Sequence, residues 1–148
     1  MTLDPSASTK AAAVLTGIHH VGLTVTDVPA STAWYQRVLG LEHEFDEPHH
    51  QSEGGGHAVV LGTQDRSLSL GLDHHPSNGG EGFDETRTGL DHVCFTVASL
   101  DTLHAWTAHL DAEGVKHSGV YAMEAMPISL LTFRDPDGIQ LELVAFHG

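Results

Sequence analysis

With only six Lys and Arg and a formal charge of −14 in 148 residues, the chain is too acidic to partner nucleic acid or an anionic membrane surface. No apolar run approaches the roughly 18–20 residues of a membrane span, and Lys10 followed by Ala11-Ala12-Ala13-Val14-Leu15 is too short and weakly charged for a signal peptide. The single cysteine, Cys94, rules out an intramolecular disulfide and suits a reducing, cytoplasmic setting.

Residues 1–15 read as a frayed tail and 16–148 as one domain, long enough to bury about 70% of its unfolded surface without crosslinks. The first strand, Ile18–Val25, alternates: His19, Val21, Leu23 and Val25 share one face, and Ile18, His20, Gly22 and Thr24 the other. A helix follows, with Asp27 as N-cap, Pro29 near its first turn, Trp34, Val38 and Leu41 at helical spacing, and Gly40 as the stop. Strands are then predicted over Glu42–Glu47, His57–Gly62 and Ser67–Asp73. The stretch Pro48–Gly56, with three consecutive glycines, reads as a flexible loop and candidate lid.

After a Gly-, Asp- and Pro-rich linker, the pattern repeats. Leu90–Val97 matches Ile18–Val25 at an offset of 72, which also pairs Trp34 with Trp106 and His20 with His92. Here Asp91, Val93, Phe95 and Val97 oppose Leu90, His92, Cys94 and Thr96. Ser99 caps a second helix with Leu103, Trp106 and Leu110 as its apolar stripe and Gly114 at its end. Strands are predicted over Lys116–Ala122, Ile128–Arg134 and Ile139–Phe146, the last two joined by the turn Asp135-Pro136-Asp137-Gly138. The prediction is an α+β domain of two βαβββ modules (16–75 and 89–148, linker 76–88) pairing into a curved, barrel-like mixed sheet around a cleft. Both tryptophans are expected between helix and sheet.

Most of the thirteen histidines, including His43, His49, His50, His104, His109 and His117, fall in polar or helix-surface contexts where a solvated ring is the plain reading. His20 and His92 differ because the repeat places both on the small, polar face of equivalent strands. On the last strand Leu141, Leu143 and Ala145 face the helix, so Glu142 faces the cleft. A carboxylate among apolar neighbours there costs several kcal/mol unless it is paired or binds a cation. His20, His92 and Glu142 thus form a two-histidine, one-carboxylate set suited to Fe, Mn, Zn, Ni or Co with open positions for substrate.

The chain resembles the vicinal oxygen chelate superfamily, which contains glyoxalases, extradiol ring-cleavage dioxygenases, fosfomycin-resistance transferases and bleomycin-resistance proteins. The resemblance runs from about Gly17 to Phe146. It rests on Ile18-His19-His20-Val21, Leu90-Asp91-His92-Val93, Trp34–Leu41 and Phe133–Leu143. It implies a divalent metal held by His20, His92 and Glu142, a small-molecule substrate and a homodimer whose cleft is built within one chain or across two. The implied activity is lyase/isomerase or dioxygenase chemistry. The alternative is a metal-free drug- or metabolite-sequestering protein of the bleomycin-resistance kind.

One corner departs from that pattern. Glyoxalase-like members carry a second glutamate on the last strand of the first module, and this chain has none at Ser69, Leu70 or Gly71. Asp73, His74 and His57 are the remaining candidates for acid–base work, and Cys94 and Ser69 for lining the substrate cleft.

Overall fold

The computed structural model describes residues 13–48 and 54–147. In chain order the elements are β1 (Val21–Thr24), α1 (Val28–Leu39), β2 (Glu42–Pro48), β3 (His57–Gly62) and β4 (Ser69–His74), then β5 (His92–Thr96), α2 (Leu100–Ala112), β6 (Tyr121–Ala122), β7 (Ile128–Arg134) and β8 (Gln140–Phe146). They form two four-stranded mixed sheets, ordered β1-β4-β3-β2 and β5-β8-β7-β6. This is the expected α+β repeat. The strands carrying or following the two key histidines, β1 and β5, are each a sheet edge, paired in parallel only to β4 and β8. The tail and the candidate lid fall largely outside the described residues, which omit 1–12 and 49–53.

Local chemistry sets the helix ends. The Asp27 carboxylate accepts from Ala30 N at 3.0 Å, and the Ser99 hydroxyl accepts from Thr102 N at 3.1 Å. Gly40, in the left-handed region at φ 68°, closes α1 by donating its N–H to Gln36 O. Two strand boundaries differ from the pattern. β4 starts at Ser69 because Ser67 N and Oγ both donate to Asp65, which holds that segment in a turn. β6 shrinks to two residues because Gly119, at φ 75°, interrupts the ladder after an isolated His117–Phe133 bridge.

The core comprises the apolar alternation of both units, including Leu23, Val38, Leu61, Leu70, Leu72, Leu103, Leu131, Leu141 and Leu143, all at most 3% exposed. Each such leucine contributes about 1.5–3 kcal/mol by leaving water. Trp34 joins this core but packs across the two units, its ring 6.4 Å from that of Phe133; Trp106 is only partly buried. His109 is likewise not simply solvated, since its Nε2 lies 2.8 Å from Val38 O on the other unit. No described helix is long and apolar enough to cross a membrane.

The Asp135–Gly138 turn fastens the two halves together. It closes with Gly138 N donating to Asp135 O at 3.0 Å. Asp135, 5% exposed, accepts from Tyr35 Oη at 2.8 Å and from Ile139 N at 2.8 Å. Asp137 accepts from Thr26 N at 3.1 Å and Thr26 Oγ1 at 2.5 Å. Contacts between the units thus run through α1, α2 and this turn, while β1 and β5 share no ladder.

Candidate metal centre

In the second unit, strand register builds the site. Pairing of Cys94 with Glu142 puts the carboxylate on the same face as His92, the first residue of β5. His92 Nε2 lies 3.6 Å from Glu142 Oε2, and the other glutamate oxygen accepts from the Gln140 amide at 2.9 Å. Behind the imidazole, Asp91 Oδ1 stands 2.7 Å from His92 Nδ1. A carboxylate can only accept there, so Nδ1 carries the proton and, in the neutral ring, Nε2 offers its lone pair toward Glu142. The Asp91 bond raises the His92 pKa above the ordinary range, and the charge of Glu142 adds to it while partial burial opposes.

Two further groups feel the same carboxylate. Burial, then Glu142, push the Cys94 thiol up to about 11, so it stays protonated at neutral pH. Tyr121 is raised by burial, Glu142 and Cys94, which puts its phenol within electrostatic reach of this face.

In the first unit a cavity of about 450 Å³ is lined by His19, His20, Gly22, Glu44, Ser69, Gly71 and Asp73, among others. The strict alternation expected for His19 and His20 fails because β1 begins only at Val21. Both rings lie on the cavity, their Nδ1 atoms 2.8 Å apart. The one-residue ambiguity opposite Glu142 resolves to Gly71, which pairs with Gly22 as Glu142 pairs with Cys94. Asp73 and Ser69 lie on the cavity. His57 and His74, by contrast, pair on the opposite face, their rings 5.0 Å apart, and His57 lines a groove with Pro29, Thr32 and Gln36 of α1. Among the described residues, no three His, Cys, Asp or Glu side chains are grouped to hold a metal ion, so His20 does not join His92 and Glu142 within the chain.

Two of these contributors escape a pure alternation argument. Asp91 precedes the strand and so is free of its pleat. Glu44 is the extra residue of a bulge in β2, where the register against β3 slips between His43 and Phe45. The bulge turns Glu44 over Gly62, where a Cβ would overlap its carboxylate, and Ser69 Oγ donates to it at 3.2 Å. Gln140, two residues before Glu142 on β8, shares its face by alternation, and its amide donates to Glu142 along the strand.

The donor set fits a divalent ion in part. A 3.6 Å separation between His92 Nε2 and Glu142 Oε2 is one that two ligands adopt when each is about 2.1 Å from a shared ion. His20 lies apart from this pair, on the first unit's cavity.

A family model described as the Glyoxalase/Bleomycin resistance protein/Dioxygenase superfamily matches residues 17–143. The chain is 26% identical over 126 residues to the uncharacterized protein YaeR of Escherichia coli (strain K12), covering 85% of this chain and 93% of that one. It is similar to the crystal structure of a glyoxylase/bleomycin resistance protein/dioxygenase domain from Frankia sp. EAN1pec, with a TM-score of 0.78, 30% identity and coverage of 90% and 94%. The fosfomycin resistance protein FosX of Listeria monocytogenes, solved with Mn(II) and sulfate, shares the fold at a TM-score of 0.61 and 18% identity, covering 89% of this chain and 93% of that one. The chain belongs to the Glyoxalase/Bleomycin resistance protein/Dioxygenase superfamily.

Proposed function

We propose that the protein is a divalent-metal-dependent enzyme acting on a small oxygen-bearing metabolite, by lyase/isomerase or ring-cleavage dioxygenase chemistry, with His20, His92 and Glu142 as metal ligands. The observation that carries this reading is the Asp91–His92–Glu142 arrangement: an imidazole held by a carboxylate behind it, with its free nitrogen aimed at a second carboxylate. When bound, a divalent ion supplies Lewis acidity toward a carbonyl, enolate or diol oxygen.

The protein's own groups do the rest. Asp91 fixes the ring orientation of His92, and Gln140 fixes Glu142. Glu44, held by Ser69, presents a carboxylate to the cavity beside His20 for substrate hydroxyls. A phosphonate substrate is disfavoured, because the Arg134 guanidinium is engaged by Glu85 at 2.7 Å and Gly138 O at 2.7 Å. The two half-sites meet in a homodimer, His20 of one protomer facing His92 and Glu142 of the other. This reading is supported by the lack of a three-donor group among the described residues and by the exposure of Gly22, Thr24, His92 and Cys94.

Elemental analysis of tag-free protein tests the reading. Close to one transition-metal ion per chain is expected; less than about 0.1 equivalent after reconstitution overturns it and leaves a metal-free binding protein. Mixing His20→Ala with His92→Ala then tests the assembly. Sites shared between protomers regain metal in the mixed dimer, whereas sites within one chain stay empty.

A further inference from the structure

We infer that Arg134, held by Glu85 of the linker between the units, is a positioning residue that sets which Glu142 oxygen is left facing His92; the inference rests on the metal-centre reading above. Strand register builds the connection. Gln140 of β8 is paired with His92 of β5 on one side and with Arg134 of β7 on the other, so the three stand in one row across the sheet. Cys94, Glu142 and Thr132 form the next row on the same face, two residues along each strand. Arg134 Nη2 donates to Gln140 Oε1 at 3.3 Å, and Gln140 Nε2 donates to Glu142 Oε1 at 2.9 Å. The other glutamate oxygen, Oε2, is the one 3.6 Å from His92 Nε2.

The ends of this chain force its direction. A guanidinium can only donate and a carboxylate can only accept, so the amide between them has one orientation. Turned over, it would set its oxygen against Glu142 and its N–H groups against Arg134, replacing two bonds with two repulsive contacts. Arg134 is itself held from outside the sheet. Its Nη2 donates to Glu85 Oε1 at 2.7 Å, and its Nη1 donates to Gly138 O at 2.7 Å and to Glu85 Oε2 at 3.5 Å. The linker is fixed around Glu85. Phe83 N donates to Asp137 O at 2.8 Å while its ring packs against the core, and Thr86 N and Oγ1 both donate to Asp84. The segment that joins the two units therefore also orients Glu142. The Arg134 and Glu85 side chains are 47% and 35% exposed, where an ion pair adds little to stability. Its effect is on orientation.

Two readouts on the full-length protein test this role: the side-chain amide signals of Gln140 in heteronuclear NMR of the metal-free state, and Mn(II) and Zn(II) affinities by calorimetry. Arg134→Met is expected to shift the Gln140 signals and to weaken metal binding by about tenfold. Its melting temperature should change by no more than about 4 °C. Glu85→Gln keeps an acceptor for Arg134 and should give smaller changes in the same direction, so it reports even if Arg134→Met does not fold. The exchanged pair Glu85→Arg/Arg134→Glu separates positioning from bracing. It restores an ion pair between linker and β7, but a carboxylate at position 134 offers Gln140 Oε1 no donor, so neither the amide signals nor the affinity should return. Unchanged Gln140 signals in Arg134→Met, or wild-type signals and affinity in the exchanged pair, overturn the role of Arg134 and leave the metal centre standing. Failure of the wild type to bind either ion overturns the metal centre and this role together.

Discussion

The Tyr35 phenol donates to the Asp135 carboxylate at 2.8 Å, joining α1 of the first unit to the β7–β8 turn of the second inside the core. Burial raises the Asp135 pKa above the usual carboxylate range, while the bonds from Tyr35, Ile139 and Asp137 pull it back. Tyr35→Phe removes one of those bonds and leaves a buried oxygen unsatisfied, a loss of about 1–3 kcal/mol. The deficit depends on pH with a definite sign. Without Tyr35 the folded-state pKa of Asp135 rises further, so the folded variant binds its proton more tightly than the folded wild type. The deficit is therefore full at neutral pH and shrinks as acid neutralises Asp135. Urea midpoints at neutral pH and in mild acid check this; a deficit that grows toward acid contradicts it.

Thr26 grips the same turn through Asp137, with its N–H and hydroxyl both donating to that carboxylate. Because one tight turn receives both grips, losses at Tyr35 and Thr26 are not independent. Thr26→Val combined with Tyr35→Phe is expected to depart from additivity by about 0.5 kcal/mol or more. A double-mutant cycle in urea measures it. Strict additivity would mean that the turn yields residue by residue and does not act as one clasp.

The repeat at an offset of 72 was enough to read both βαβββ units and both helix caps, because apolar alternation and capping are local. The limits of that reading are equally physical. His19 and Asp91 lie just before their strands, so period-two facing does not govern them. Glu44 depends on a bulge, which no pattern of apolar residues announces. His57 and Asp73 were indistinguishable as candidates until register separated them onto opposite faces. Whether His20 meets His92 is a matter of how two sheets pack, and alternation within each sheet carries no information on that.

The two helix caps offer a test of equivalence between the units. Asp27 and Ser99 each accept an N–H three residues on, at 3.0 and 3.1 Å. Replacing either with Ala costs about 1 kcal/mol. Helices lying in separate units should add their losses, so the double variant is expected near about 2 kcal/mol. Chemical denaturation decides it. A loss confined to one cap would show that only that helix is tied to the global unfolding unit.

Asp91 provides the sharpest test of how the candidate metal centre is tuned. It is exposed and has no part in the core, so its 2.7 Å contact with His92 Nδ1 has local consequences only. Asp91→Asn keeps an oxygen able to accept from Nδ1 but removes the charge that strengthens Nε2 as a donor. Stability should therefore stay within about 0.5 kcal/mol of wild type, while metal affinity falls by about 10–100-fold. Asp91→Ala, which also frees the ring to rotate, should lose more than Asp91→Asn. The two variants thus divide the effect into charge and orientation. Metal titration alongside a thermal melt reads both quantities on the same samples. Equal metal affinity in wild type and both variants would mean that His92 is oriented by something other than Asp91, and would remove the main support for the proposed centre.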